Sequence, residues 1–239
     1  MTREYMDNLL EQLMDDVLIL ESMVRQAIND GVTSLMTKDK KLAKQTIKND
    51  QKINQKRFEI ENEVLITIAT QQPMATDLRV LASILEIITE LERMGDYAKG
   101  IAKITKLTRH HEILPPLENL IPMANLTSEM LQAAIKAFVE GDAETARAIP
   151  TRDDEIDEYF NKIYKGLVKY MIKDPESIKL ANHLQWAAHN IERMADRVSN
   201  ICERTLFIQT GSIYQIEDLK DLDEDDDDDD DEVEIHDVN

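Results

Sequence analysis

Glycine and proline are scarce in this chain, six of each in 239 residues, and aromatic side chains make up only 5%. Sheet proteins turn every few residues and favour aromatic and β-branched side chains, so the shortage argues against a β fold and for long helices. A single cysteine, Cys202, excludes an internal disulfide framework and suits a reducing compartment. No apolar run approaches the roughly 20 residues needed to span a bilayer. The opening Met1-Thr2-Arg3-Glu4-Tyr5 leads straight into acidic amphipathic sequence, so no signal peptide is expected and the expected compartment is the cytoplasm. Also missing are a Gly-rich phosphate loop, a nucleophile elbow and any Cys/His zinc spacing, so the chain is not expected to be an enzyme.

Basic residues are few as well: 28 Lys and Arg stand against 48 Asp and Glu, for a formal net charge of −20. Most of the imbalance is local. Residues 217–239 hold 15 acids and one base, Lys220, which leaves 33 acids and 27 bases elsewhere. The remaining body offers no basic face, and nucleic-acid binding needs one for counterion release. Residues 225–231 are seven consecutive aspartates. Like charges this dense cannot pack, so residues 213–239 are expected to form a disordered acidic tail. A solubilising role is its simplest reading; weak buffering of divalent cations, or repulsion from anionic membrane, is the other.

What is abundant is helical periodicity. Leu9, Leu13, Val17, Leu20, Val24, Ala27 and Ile28 recur at three- and four-residue steps, predicting a helix over 4–30 with Gly31 as its stop. A second helix is predicted over 39–70, ending before Pro73. A third follows over 74–109, on Leu78, Leu81, Ile84, Leu85, Ile88, Leu91, Ala98 and Ile101. Residues 110–116, with Pro115-Pro116, read as a linker. The plan then repeats: helices over 117–140, closed by Gly141, over 142–172, with Pro150 kinking the first turns, and from Asp174-Pro175 to about 209, closed by Thr210-Gly211. The expected fold is all-α, two tandem three-helix bundles over residues 1–112 and 113–212, followed by the tail over 213–239.

The residues repeat too. Glu92-Arg93-Met94-Gly95-Asp96 returns as Glu192-Arg193-Met194-Ala195-Asp196, and Asp50-x-x-Ile53-Asn54 returns as Asp153-x-x-Ile156-Asp157, which points to duplication. On a helix, carboxylates four apart share one face and repel each other unless neutralised. Glu92 and Asp96 continue the apolar row of Leu81, Leu85 and Ile88. If Asp153 and Asp157 face Glu192 and Asp196, four carboxylates converge, and an all-oxygen cluster suits Mg²⁺, Mn²⁺, Ca²⁺ or iron. Arg93 three residues before Asp96, and Arg193 three before Asp196, support the plainer reading of surface ion pairs. No Glu-x-x-His pair occurs on two helices, which counts against a ferritin-like di-iron oxidase. The eleven methionines read as core filler, Trp186 as a core or interface anchor, and His189 as a packed or solvent-facing side chain, with ligation the lesser reading.

Four segments together resemble the PhoU family of phosphate-transport accessory regulators: Gln72-Pro73-Met74-Ala75-Thr76-Asp77-Leu78-Arg79, Leu91-Glu92-Arg93-Met94-Gly95-Asp96-Tyr97-Ala98, Ile191-Glu192-Arg193-Met194-Ala195-Asp196-Arg197, and Thr210-Gly211. The resemblance covers about residues 4–212. It implies two three-helix bundles whose acidic motifs hold metal ions (Fe, Zn, Mn or Mg), with Asp50, Glu92 and Asp96 serving the first bundle and Asp153, Asp157, Glu192 and Asp196 the second. Asn54, where the second copy has Asp157, departs from the pattern. The resemblance further implies a cytoplasmic, often homodimeric negative regulator that meets the membrane only through partners. Those partners are the ATPase of the phosphate-specific ABC transporter and the phosphate-sensing histidine kinase. Alternatives are an accessory protein of a different phosphate carrier, a carboxylate-based metal-binding or storage protein, and a metalloenzyme.

Overall fold

The computed structural model describes residues 3–212, so the tail expected over 213–239 lies outside the described residues. Within them the periodicity resolves into seven α-helices: α1 (Arg3–Thr37), α2 (Lys40–Gln71), α3 (Thr76–Thr108), α4 (Leu120–Glu140), α5 (Ala143–Ala148), α6 (Asp153–Lys173) and α7 (Ile178–Thr210). The first three pack as one bundle and the last four as a second, in which α5 and α6 together stand where α2 stands in the first. None of these helices is long and apolar enough to cross a membrane.

The helix ends follow local chemistry. Asp39 caps α2, its side chain accepting from the backbone N–H of Lys41 (2.8 Å) and Leu42 (3.1 Å). Asp174 accepts from the N–H of Glu176 at 3.1 Å, with Pro175 in the first turn beyond it. Gly141 and Gly211 close α4 and α7 at φ 68° and 72°, the left-handed conformation that costs glycine nothing.

Two expectations change. Gly31 does not stop α1; the helix runs through it because Val32 and Leu35 continue the buried row. The missing side chain instead permits a close crossing, since a Cβ there would lie 2.9 Å from the carbonyl oxygen of Ala98 on α3. The helix predicted over 142–172 is broken in two: Pro150 has no N–H to donate, and residues Ile149–Arg152 form a 3-10 turn between α5 and α6. The break places Asp153 in the first turn of α6, where acidic side chains suit the helix dipole.

The bundles meet along α3 and α7, the most extensive contact between any two helices here, and share one continuous apolar core. The pairing is antiparallel. Ser83 Oγ donates to the carbonyl of Arg204 (3.3 Å), Glu90 contacts Arg197 and Asn200, and the Arg193 guanidinium lies 4.6 Å above the Tyr97 ring. Residues equivalent in the repeat therefore exchange places across the seam, with Met94 and Met194, both fully buried, near its centre. Glu90 is nearly buried there, within reach of three donors: Arg93 at 2.7 Å, Arg197 at 3.3 Å and Asn200 at 3.3 Å.

Candidate carboxylate sites of the two bundles

The first-bundle trio comes together as expected, but with its own cation. Asp50, 3% exposed on α2, faces Asp96 and Glu92 on α3. Between them lies Lys99, one turn beyond Asp96, its Nζ 2.6 Å from Asp50 Oδ2 and 3.1 Å from Asp96 Oδ1. The hydrogen bond to Asp50 is the main reason the lysine is held above its ordinary value of 10.5. Burial, and then repulsion by Asp96 and Asp50, raises the Glu92 carboxyl, with Arg57 and Arg93 opposing. One oxygen of Asp50 and the side-chain oxygen of Asn54, one turn on, are buried without a hydrogen-bond partner. An ammonium stands where a metal would be needed, so the donors Asp50, Glu92 and Asp96 do not fit an ion as arranged.

The second-bundle quartet has no bridging lysine of this kind, only the flanking Arg193, Arg197 and His189. Asp153 and Asp157 project from α6, Glu192 and Asp196 from α7, and the position matching Lys99 is Ser199. Burial, then repulsion by Asp157, Asp196 and Glu192, pushes the Asp153 carboxyl up to about 6. Asp196 is raised by burial against the opposing pull of Arg197, and Glu192 by burial and by Asp196. His189 Nδ1 lies 2.8 Å from Glu192 Oε2, an ion pair when the imidazole is protonated. Among the described residues no three His, Cys, Asp or Glu side chains are gathered tightly enough to hold a metal ion. The four carboxylates are close enough to repel one another but not closed around a point. As a donor set they suit a hard, oxygen-seeking cation.

The charge state of this cluster has a measurable consequence. Asp153 binds its proton more tightly when folded than when unfolded. Its contribution to stability is therefore present below the ordinary 3.8 and lost as pH rises through about 6. Because the group is only partly buried, solvent screening reduces the full linkage to about 1 kcal/mol. Urea unfolding of the wild type and of Asp153→Asn, at about pH 5 and about pH 7.5, should show the wild type losing stability relative to the variant at the higher pH. A constant difference between the two would refute the assignment.

The simple ion pairs expected of Arg93 and Arg193 are not formed. Arg93 pairs with Glu90, and Arg193 lies over Tyr97. Sequence reasoning missed Lys99 and Glu90. Lys99 had a visible signal, the spacing Asp96-x-x-Lys99 in one copy of the motif and Asp196-x-x-Ser199 in the other.

The duplicated layout is matched by known proteins. The PhoU domain profile matches residues 17–105 and again 120–205. The chain belongs to the PhoU family. A Clostridium acetobutylicum protein named phosphate-specific transport system accessory protein PhoU homolog is 33% identical over 222 residues, covering 91% of this chain and 100% of its own. The Escherichia coli K12 accessory protein PhoU is 32% identical over 208 residues, covering 86% of each. Among solved structures, PhoU from Pseudomonas aeruginosa superposes with a TM-score of 0.81 at 29% identity, covering 86% of this chain and 99% of that one. The Streptococcus pneumoniae phosphate transport system regulatory protein PhoU gives a TM-score of 0.81 at 32% identity, covering 87% and 99%. The PhoU architecture is thus shared from α1 to α7.

Proposed function

We propose that this protein is an accessory regulator of a phosphate-specific transport system, working as an adaptor and not as an enzyme. It restrains the transporter at its cytoplasmic side, through the transporter ATPase, and helps hold the phosphate-sensing histidine kinase quiet when phosphate is plentiful. The observation that carries this reading is the end-to-end match of both halves to relatives named as accessory proteins of that system. A phosphate-starvation reporter in the native host, grown in rich phosphate, should switch on when the gene is deleted. A silent reporter would sink the regulatory reading and leave an accessory role to another phosphate carrier.

Within this reading the protein works as a homodimer, and Asp153, Asp157, Glu192 and Asp196 are the residues that would hold a divalent or iron ion. The ion would add positive charge where no lysine bridges the four carboxylates as Lys99 does in the first bundle. Its support is the raised carboxyls and the absence of a lysine at position 199. Glu192→Ala with Asp196→Ala should remove most bound metal, read by elemental analysis, while leaving the helical signal intact. Undiminished stoichiometry would refute the site.

A further inference from the structure

Trp186, the one tryptophan, reads from sequence as a core or interface anchor; it is 54% exposed, which removes the core reading. It stands on α7 at the edge of an open groove against α6, of about 470 Å³, lined by Phe160, Asn161, Tyr164, Asn182, Gln185, Trp186 and His189. The rings form one connected set. Phe160 stacks on Tyr164 with centroids 6.3 Å apart, and His189 lies 6.1 Å from Phe160 and 6.2 Å from Trp186. Exposed, preorganised aromatics of this kind anchor protein interfaces.

The groove does not end at the rings. One and then two turns along the same helix faces, Phe160 gives way to Asp157 and Asp153, and His189 to Glu192 and Asp196. The surface is thus aromatic at one end and acidic at the other. The first bundle has no counterpart. Arg57 and Glu61, paired at 2.9 Å, stand where the second copy has Phe160 and Tyr164, and Glu86 and Thr89 stand where it has Trp186 and His189.

We propose that the α6–α7 groove docks a cationic, partly apolar segment of a protein partner. An arginine or lysine stem of that segment lies on Trp186, Tyr164 and Phe160, with its charge turned toward Asp153, Asp157, Glu192 and Asp196. Charge complementarity selects this occupant. Aromatic faces attract cations, and the adjoining carboxylates supply the opposite charge. A second copy of this chain brings the same acidic end and is repelled. The proposal does not rest on the phosphate-transport reading, since any basic segment of the right shape satisfies it, and four carboxylates around one divalent ion would still be net negative.

The lone tryptophan makes the test direct, because all of its emission comes from the groove. The probe is a short synthetic peptide, blocked at both ends, with two arginines flanked by leucines. It should shift Trp186 emission saturably, and the same peptide with citrulline for arginine should bind at least about tenfold more weakly. Tyr164→Ala, and separately Asp157→Asn with Glu192→Gln, should weaken the arginine peptide by a similar factor. Emission that ignores the peptide at millimolar concentration, or equal affinity for the citrulline form, would overturn the proposal without any variant. Sedimentation of the free wild-type chain and of Trp186→Ala supplies a further check: a dimer turned to monomer by that substitution would assign the groove to self-association instead.

Discussion

Replacing Lys99 with methionine should lower the unfolding free energy by about 2–3 kcal/mol at neutral pH. The methionine keeps the apolar stem and removes the charge, leaving Asp50 buried against a vacated position. Its Oδ2 loses a 2.6 Å partner, and its Oδ1 has none to begin with. Breaking a buried pair from one side usually costs about 3–5 kcal/mol, reduced here because the lysine head remains about a quarter exposed and water can enter. Adding Asp50→Asn should recover most of the loss, since the offending charge goes with its partner. Because Lys99 is raised when folded, its contribution is fully present below its ordinary 10.5 and disappears as pH climbs through the higher folded value. Urea unfolding of the single and double variants decides the matter; an unchanged midpoint for Lys99→Met would show that the bridge contributes nothing.

A loss of about 2–3 kcal/mol is likewise expected of Glu90→Ala, but its origin lies between the bundles and not within one. Glu90 meets Arg93, Arg197 and Asn200 at the seam, and α7 supplies two of those three. Truncating it removes the ion-pair partner of the Arg197 guanidinium, whose side chain is only 24% exposed, and leaves that cation only the longer-range pull of Asp196. A double-mutant cycle with Arg197→Ala should return a coupling above about 1 kcal/mol, as contacting residues in one network do. Independent, additive effects would mean that the seam is held by its apolar side chains alone.

The helices were readable because their apolar rows are long, and the repeat was readable because Glu-Arg-Met-x-Asp survives in both halves. Gly31 and Pro150 were harder, for opposite reasons. A glycine inside a row looks like punctuation until the partner backbone at Ala98 is known, whereas a proline near a helix start looks tolerable until its missing N–H falls in mid-turn. The carboxylates themselves were legible from their spacing. Their neutralisation was not, because whether Lys99 reaches Asp50, 49 positions away, depends on how α2 packs on α3. Glu90 was hard to see for the same reason: beyond Arg93 on its own helix, its partners Arg197 and Asn200 come from α7, more than a hundred residues on.

The antiparallel seam centred on Met94 and Met194 has a consequence for how anything could approach this molecule. A half-turn about that centre carries one half of the backbone toward the other, so by outline alone a visitor would meet the same shape from two directions and dock either way round. Side chains remove the ambiguity. On one side Lys99 fills the acidic recess and Arg57 pairs with Glu61. On the other the recess stays acidic and borders a row of rings. Duplication supplied two interchangeable faces, and a few substitutions have given the molecule a front and a back.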